Sequence, residues 1–375
     1  MMDNSNRVTL VCNGLEFSGW LSVRIESSLQ SLCRAAQVSA TRQVGESDLT
    51  ASINVGDAAS VKIGEDTVIT GWITSKSTEY SATSVSVSIT IKSKTVDLDE
   101  CSIPVDKPHQ WGTAVRLNQL VQQLAGLYGI GCVFAQDNGS CTFQLDMNAS
   151  VSDAIVKLLK DKSLLVNDDA EGRLVIAKAG GAGHAASGLQ TGVNVLSSSR
   201  QQDASAIFRT YAVLGQSTNP DSNVSGCNSL KGVATNTAVR DRTKVWVESG
   251  NRTQKDLNSR AQNLMFNAIG NADKLSYEVQ GWRQSDGSLW RVNQLVRIDD
   301  DYFNIHQDLL VSRVSLSIGS GGTTAELDVI APDAFLVTDL PDAEKTQGKT
   351  AKGKSTKSTD KGYTFLAKKG SGVIK

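Results

Sequence analysis

Alternating apolar and polar positions dominate the first hundred residues. The clearest run is VSVSITI at residues 85–91, where valine and isoleucine alternate with serine and threonine. A period of two places the apolar side chains on one face of a β-strand. Upstream, VKIGEDTVITGWI at residues 61–73 predicts two short strands joined by a turn at residues 64–66. The pattern therefore predicts a small antiparallel β-barrel or sandwich over residues 1–100.

A helical period replaces this alternation after Pro108. Apolar residues recur every three or four positions over residues 113–127, which predicts a helix with one apolar side. Gly129 follows at a position where a left-handed glycine commonly ends a helix. The change of period marks the start of a second domain that combines helices and strands.

The rest of this predicted α+β domain, residues 101–190, contains a strand, a helix and a second strand. The first strand falls near residues 141–145. Ser150 and Asp153 form a capping-box pattern, which predicts the start of a helix. Alternation over residues 173–177 predicts the closing strand of the domain.

Strands return in the second half and predict a second β-barrel-like domain over residues 191–338. The predicted strands lie over residues 207–214, 244–247, 274–282, 295–300, 313–319 and 325–331. A stretch rich in Ser, Asn and Gly at residues 219–237 predicts an exposed loop. One helix interrupts the strands at residues 254–269, with a capping-box start at residues 253–256 and Gly270 as its stop. The fold class is thus α+β and mostly β.

A faint repeat links the two halves. VKIGEDTVITGWI at residues 61–73 and VRIDDDYFNI at residues 296–305 each join a basic-flanked strand to an acidic turn. Each segment continues into two alternating strands. Duplication of one β-unit would produce this pattern, and so would two unrelated hairpins. The sequence leaves both explanations open.

Charge is distributed unevenly along the chain. The net charge is −1, but nine lysines and three acidic residues follow Leu340, so this end carries +6 and the body before it about −7. Low apolar content predicts a disordered tail over residues 339–375, which either stays solvated or orders on docking with a partner. The body lacks the basic surface of a nucleic-acid-binding domain. No run of about 18 apolar residues and no signal-peptide pattern occurs, so we expect synthesis in the cytoplasm and no membrane segment.

Two groups of residues resemble chemical sites. GAGHAA at residues 181–186 matches the G-x-G-x-x-A of dinucleotide-binding folds, but the residues after it form a poor helix. A flexible linker over residues 179–188 is therefore the favoured interpretation. His109, His184 and His306 have no metal-binding spacing and no nucleophile-elbow motif accompanies them, so we interpret them as structural or solvated.

Acidic, aromatic and sulfur-containing residues also fit structural roles. The aspartates at residues 299–301 lack the spacing of a calcium loop and predict a hairpin turn. Six tryptophans lie next to strand or turn patterns, where core packing is favoured for most. Six scattered cysteines without a CxxC pair predict free, partly buried thiols. The sequence thus predicts no catalytic, cofactor-binding or metal-binding residue, no cofactor, and a protein that is not an enzyme.

Four sequence blocks together resemble the Mu-like gpP tail proteins of contractile-tailed phages. The blocks cover residues 8–39, 63–73, 281–305 and 310–335. They include an early strand-turn-strand, the IGEDTVITGWI element, and a late G-x-L-W-x-x-N-x-L-V motif at residues 287–296. Their order and spacing match the family over about residues 7–337, whereas the lysine-rich tail does not align.

The resemblance implies a structural baseplate hub located in the virion. Such hubs are homotrimers in which each subunit carries two tube-like antiparallel β-barrels, so that six barrels match the sixfold tail tube and a threefold axis meets the central spike. The implied partners are the tail tube protein, the spike protein and other baseplate proteins. DNA passes through the lumen without specific binding, which suits a mildly acidic body. The inserted α+β domain would lie at the periphery.

Two other classes of function stay open from the sequence. Tail tips commonly carry a cell-wall hydrolase, which would need a pair of carboxylates in a cleft. A carbohydrate-binding adhesin would use exposed tryptophans, with Trp282 and Trp290 as the candidates.

Overall fold

The computed structural model describes residues 4–44, 48, 50–108, 110–137, 139–144, 149–160, 164–216, 230–251, 253–319 and 321–332. The predicted tail over residues 339–375 lies outside these residues. Over the described residues the chain is mostly β with antiparallel sheets, as predicted. These residues divide into two compact units, one formed by residues 1–202 with 274–336 and the other by residues 203–273.

Seven strands form the first β-module, residues 8–93. After a 3-10 turn at Asn4–Asn6 they are β1 (Val8–Cys12), β2 (Leu15–Phe17), β3 (Ser22–Ser28), β4 (Ala35–Gln43), β5 (Ala58–Ile63), β6 (Asp66–Tyr80) and β7 (Ser84–Ser93). Strand β7 buries every second side chain, as its alternation predicts. The predicted hairpin between β5 and β6 is present, and Gly64 in its turn has a φ of 58°, where glycine is favoured. The local patterns of this module are confirmed.

The α+β module, residues 96–177, follows. Its elements are α1 (Val96–Glu100), β8 (Gln110–Arg116), α2 (Leu117–Gly126), β9 (Cys132–Phe134), β10 (Ser140–Gln144), α3 (Val151–Lys160), β11 (Leu165–Asp168) and β12 (Leu174–Ala177). A separate apolar core holds it together, with Leu120, Leu124 and Ile155 almost fully buried. The Ser150 hydroxyl accepts a hydrogen bond from the Asp153 N–H at 3.1 Å, so the predicted start of α3 is confirmed.

The predicted start of the first helix in this module is wrong. The sequence places its start at Thr113, but β8 occupies residues 110–116 and α2 starts at Leu117. Pairing with β10 holds these residues in extended conformation, which a helical periodicity cannot reveal. The regular helix ends at Gly126, and the predicted glycine stop is confirmed, because Gly129 has a φ of 71° and the Ile130 N–H bonds back to the Ala125 carbonyl at 3.2 Å.

The rest of the described chain forms nine strands and one long helix. These are β13 (Leu189–Gln190), β14 (Val195–Gln202), β15 (Thr210–Gln216), β16 (Leu230–Thr235), β17 (Thr243–Asn251), α4 (Gln254–Ala272), β18 (Asp273–Gln280), β19 (Leu295–Asp300), β20 (Ile305–Gly319) and β21 (Gly322–Ile330). Strands β13, β14 and β18 to β21 form the second β-module. The predicted turn at residues 332–335 lies mainly outside the described residues.

The two β-modules share one continuous sheet. Its strand order is β14-β18-β21-β20-β3-β4-β7-β6-β5-β1-β2, and β19 pairs with both β20 and β13 beside this path. In the first module the order is β3-β4-β7-β6-β5-β1. In the second module β14-β18-β21-β20-β19-β13 repeats it strand for strand. The innermost pair differs in direction, since β1 and β5 are antiparallel while β13 and β19 are parallel.

Strand lengths and irregularities match as well. The three successive strands β5, β6 and β7 have 6, 15 and 10 residues, and β19, β20 and β21 have 6, 15 and 9. Each long strand is bulged near its middle, after Ile73 in β6 and after Val311 in β20. A bulge is a specific local feature rather than a default of hairpins. The structure therefore favours duplication over two unrelated hairpins.

The helix-containing unit, residues 203–273, is a three-stranded sheet with α4 packed on it. Its order is β16-β15-β17, with β15 and β17 parallel. The buried residues Tyr211, Val213, Leu257 and Ala261 form its core. Two expectations are corrected. Strand β16 lies inside the stretch predicted as an exposed loop, of which residues 217–229 fall outside the described residues, and α4 continues past Gly270 to Ala272.

The predicted capping box at the start of α4 is present. The Thr253 hydroxyl accepts a hydrogen bond from the Asp256 N–H at 3.2 Å, and the Thr253 N–H donates to Asp256 Oδ2 at 3.0 Å.

The predicted domain over residues 191–338 spans parts of two compact units. The four domain boundaries given by the sequence stay a prediction.

Replacing Thr253 with alanine is expected to destabilise α4 by about 1 kcal/mol, because the Asp256 N–H loses its side-chain acceptor. Hydrogen exchange of the α4 amides, followed by mass spectrometry, measures this loss as faster exchange over residues 254–272. Lys255→Ala, at an exposed position in the same turn, is the control and should change exchange by less than about 0.5 kcal/mol. Equal exchange in the two variants would contradict the capping role.

Candidate functional site

The segment at residues 179–188 is a fixed loop. Gly180 N–H donates to Asn293 Oδ1 at 2.8 Å, and Asn293 Nδ2 donates back to the Lys178 carbonyl at 3.0 Å. Ala186 N–H donates to Gln284 Oε1 at 2.6 Å. Because these bonds tie the loop to the second β-module, the predicted flexible linker is corrected to an ordered loop. The next element is the two-residue strand β13, whereas a pyrophosphate site needs a helix at this point.

The histidines do not form a hydrolase site in the described residues. His306 Nδ1 lies 2.5 Å from Asp299 Oδ1, and its Nε2 lies 3.6 Å from Asp301 Oδ1. In a catalytic triad one ring nitrogen faces a carboxylate and the other a hydroxyl or thiol nucleophile. Here both nitrogens face carboxylates on an exposed hairpin. His184 is exposed beside β19, and His109 lies outside the described residues.

The three aspartates at residues 299–301 belong to the β19–β20 hairpin, as predicted. Asp300 is buried, accepts the Tyr277 hydroxyl at 3.0 Å, and accepts the N–H groups of Tyr302 and Phe303 at 2.9 and 3.0 Å. A carboxylate with three donors is satisfied without a metal. In the part of the chain that the structure describes, no group of three or more His, Cys, Asp or Glu residues could hold a metal ion.

The described cysteines are free thiols, all buried or half-buried, as the sequence predicts. Burial, reinforced by the Asp168 charge, raises the pKa of Cys33 to about 12. Burial likewise raises the pKa of Cys132 to about 11. Both thiols therefore stay protonated at neutral pH, and a protonated thiol is a poor nucleophile. Cys227 lies outside the described residues.

The tryptophans that could bind a sugar are inside the protein. Trp282 is fully buried and Trp290 is 5% exposed. The Trp282 indole N–H donates to the carbonyls of Ser317 and Thr324 at 3.2 and 3.0 Å, so it joins β20 to β21. The core-packing interpretation is confirmed for these two rings, and neither presents a face to a glycan.

An acidic cleft of about 590 Å³ lies within the first compact unit. The lining includes the acidic residues Glu65, Asp66, Asp168, Asp169 and Glu171. Arginines pair with four of them: Arg283 with Asp66 at 2.7 Å, Arg34 with Asp168 at 2.9 Å, and Arg173 with Asp169 at 2.6 Å and Glu171 at 3.3 Å. Ion pairs with arginine therefore account for most of the acidic side chains of this cleft.

The Arg34–Asp168 pair fastens the α+β module to the first β-module. Arg34 Nε donates to Asp168 Oδ1 at 2.9 Å, and its backbone N–H donates to Asp168 Oδ2 at 3.2 Å. Arg34 Nη1 reaches the carbonyl of Val68 on β6 at 3.0 Å. The Asp168 side chain is only 3% exposed, so the ion pair lies in a protein interior. Sequence patterns gave no indication of it, because the partners are 134 positions apart.

The junction between the β-modules is an antiparallel strand pair. Residues Arg313 to Ile318 of β20 pair with Ser28 to Val23 of β3. The inward side chains Val23, Ile25, Val314 and Leu316 are all buried in one core. Backbone pairing and apolar packing thus join one module edge to edge with the other.

Arg313 reinforces this junction on the outer face. Its guanidinium lies 2.6 Å from Asp328 and 3.2 Å from Glu326 on β21, and 3.6 Å from Glu26 on β3. The hydrogen bond to Asp328 and the attraction of the three carboxylates raise the pKa of Arg313. One cation therefore bridges three neighbouring strands.

Two strand edges of the first compact unit carry exposed apolar side chains. On β6, Tyr80 is 86% exposed. On and beside β14, Leu196 is 55% and Val193 is 73% exposed. Exposed edges with apolar side chains are typical of surfaces that pair with another chain.

The described residues contain no helix long and apolar enough to cross a membrane.

Three family models match successive parts of the chain. Residues 7–92 match the N-terminal domain of the Mu phage baseplate assembly protein GpP-like family. Residues 95–178 match the second domain of the baseplate hub protein gp44-like family, and residues 253–338 match the fourth domain of the Mu phage baseplate assembly protein GpP. The matched order is the order of the modules along this chain.

Individual proteins match over nearly the whole length. Baseplate hub protein gp44 of Escherichia phage Mu is 28% identical over 362 residues, 93% of this chain and 94% of that protein. The crystal structure of the 43 kDa tail protein of prophage MuSo2 from Shewanella oneidensis has a TM-score of 0.80 and 24% identity, covering 88% of this chain and 99% of that chain. The tail protein from Neisseria meningitidis MC58 has a TM-score of 0.75 and 21% identity, covering 88% and 98%. The two solved structures share this fold.

Proposed function

Since this chain belongs to the Mu-like gpP family of phage baseplate hub proteins, we propose that it forms a homotrimeric ring in the tail baseplate. The ring joins the sixfold tail tube to the threefold central spike. Its partners are the tube protein, the spike protein and other baseplate proteins. The chain is made in the host cytoplasm, becomes part of the virion, and acts as a structural component rather than an enzyme.

One observation carries this proposal: a single chain contains two β-modules with the same six-strand order. Three copies would then present six similar modules around one axis. Six modules match the symmetry of the tail tube, and three chains match the symmetry of the spike. The two modules within one chain are joined edge to edge through β20 and β3. In a ring, neighbouring modules of different chains would also meet side by side. A ring of this kind needs head-to-tail contacts that close.

In the described part of the chain, neither rival function is favoured by the site that it would use. A hydrolase would use the acidic cleft, but arginines neutralise four of its carboxylates. An adhesin would use Trp282 or Trp290, and both are buried. The mildly acidic body is consistent with a lumen that lets DNA pass without binding phosphates.

Light scattering coupled to size-exclusion chromatography tests the trimer. One chain has a mass of 40.0 kDa, so the trimer is expected at three times that mass. Electron-microscopy class averages of the same fraction should show six similar lobes around a ring. A protein that stays monomeric at high concentration, both alone and mixed with its tube and spike proteins, would overturn the proposal.

A further inference from the structure

Half of strand β6 has an open edge. On one side β6 pairs with β7 over residues 71–80. On the other side it pairs with β5, but only over residues 66–72. Among the described residues, no strand pairs with this second side of residues 75–80. The backbone N–H and C=O groups that point outward there are ready to pair with another strand.

Strand β20 is the counterpart of β6, and its corresponding edge is occupied. It pairs with β19 over residues 305–310 on one side, and β3 fills the rest of that side over residues 313–318. Aligning the bulges after Ile73 and Val311 makes residues 75–80 equivalent to residues 313–318. In the described part of the first module, no strand takes the place that β3 takes in the second module.

A second open edge lies at β14, which is the first strand of the order. Strand β14 occupies in the second module the place that β3 occupies in the first. Strand β3 lies between β4 and β20, whereas β14 ends the strand order with β18 as its neighbour. Among the described strands, each copy therefore has one strand end without a β3-like neighbour and one β3-like strand that pairs on one side only.

We propose that residues 75–80 of one copy pair antiparallel with β14 of the next copy, repeating between chains the β20–β3 contact made within each chain. The occupant of both edges is a second copy of this chain. The inference rests on the proposed ring and names the strands that close it. It is a head-to-tail contact, so the same two edges serve every subunit.

The internal contact also supplies the register. In the second module, the Ser197 hydroxyl of β14 donates to Glu278 of β18 at 3.0 Å. The corresponding contact in the first module joins β3 to β4, where the hydroxyl groups of Ser22 and Ser39 lie 2.6 Å apart. We therefore align Ser197 with Ser22. Because Ile318 lies opposite Val23, Tyr80 of one copy then lies opposite Ser198 of the next.

This register brings together the exposed apolar side chains of the two edges. Leu196 is two residues from Ser198 and lies on the same face of β14. Tyr80 and Leu196 are therefore diagonal neighbours, a spacing that an aromatic ring can bridge. Both are exposed in the isolated chain, at 86% and 55%. The proposed pair would cover both side chains.

Disulfide trapping tests the strand pairing directly. A chain carrying Tyr80→Cys is mixed with a chain carrying Ser198→Cys and oxidised, and a covalent dimer of the two chains is expected on a non-reducing gel. Directly opposed residues have the Cα separation that a disulfide needs. Tyr80→Cys mixed with Gln202→Cys is the control. Position 202 lies four residues along β14 from position 198, which places it roughly 13 Å from the residue opposite Tyr80. Wild-type chains treated identically report any cross-linking through native cysteines.

A charge placed at the same edge provides the second measurement. Tyr80→Asp is expected to raise the dissociation constant of the trimer by about tenfold or more, since a buried contact tyrosine is replaced by a carboxylate. Tyr302→Asp is the matched control, because Tyr302 is 85% exposed on the β19–β20 hairpin of the same unit. It should leave the trimer unchanged.

The outcomes separate the contact from the ring. Cross-linking of Tyr80→Cys with Ser198→Cys, together with weaker assembly of Tyr80→Asp, supports the strand pairing. Trimers that form normally but give no cross-link at this pair, or that tolerate Tyr80→Asp, overturn the pairing and leave the ring intact. Wild-type chains that never assemble, even with tube and spike proteins, overturn both.

Discussion

Arg34→Ala is expected to lower the free energy of unfolding by about 3–5 kcal/mol, because it leaves the Asp168 carboxylate buried without a counter-charge. Asp168 is 3% exposed and takes hydrogen bonds from both the side chain and the backbone N–H of Arg34. The variant also removes the donor to the Val68 carbonyl. Urea denaturation followed by tryptophan fluorescence measures the change as a lower midpoint.

Two further variants isolate the buried charge as the cause. Arg24→Ala removes an arginine from the exposed pair with Glu26, and its loss should not exceed about 1 kcal/mol. Arg34→Met combined with Asp168→Leu removes both buried charges, and it should recover most of the stability lost by Arg34→Ala. An Arg34→Ala protein as stable as Arg24→Ala would show that solvent already screens Asp168.

Local pattern predicted the elements whose side chains face one core. The alternation over residues 85–91 predicted β7, and the capping boxes predicted the starts of α3 and α4. These features depend on neighbours within four positions in sequence. They are therefore visible in a single sequence.

Pattern failed where distant strands decide the conformation. Residues 113–116 were predicted to begin a helix but belong to a strand that pairs with β10, and β16 lies in a Ser- and Asn-rich stretch but pairs with β15. In both cases hydrogen bonds to another strand outweigh the local preference. Asn293, with a φ of 66°, fixes the loop at residues 179–188 from more than 100 positions away.

The duplication was visible only at its hairpins. The sequence shows similar strand-turn segments at residues 61–73 and 296–305. The matching six-strand order includes β3 and β14, whose sequences SVRIESS and VLSSSRQQ share no apolar pattern. The reason is burial. Strand β3 has neighbours on both sides and buries Val23 and Ile25, whereas β14 is an edge strand with mostly exposed side chains.

The same difference explains why no interface residue could be predicted from the sequence. A polar strand such as SKSTEY at residues 75–80 has the composition of a solvated edge. Its place in the sheet is what suggests a surface for another chain. Residues 75–80 of β6 are equivalent to the residues of β20 that pair with β3 in the second module. The proposed assembly surface follows from topology, and backbone groups rather than particular side chains would supply most of its contacts.

Trp282→Ala is expected to lower the free energy of unfolding by about 3–5 kcal/mol, because it empties the space of a fully buried indole. The indole N–H also bonds the carbonyls of Ser317 and Thr324, so its loss loosens the part of β20 that pairs with β3. Urea denaturation measures the stability, and light scattering of the folded variant measures its assembly. Both should decrease, since the β20–β3 junction holds together the two β-modules that each subunit would contribute to the ring.

Trp282→Phe separates packing from hydrogen bonding. Phenylalanine fills most of the space but cannot donate to the two carbonyls, so the expected loss is smaller, about 1–2 kcal/mol. Trp72→Phe is the control in the first β-module, where the half-buried indole donates to Asp97 at 3.2 Å and does not join two strands. If Trp282→Ala and Trp72→Phe unfolded at the same urea concentration, the prediction that the Trp282 indole holds β20 against β21 would be contradicted.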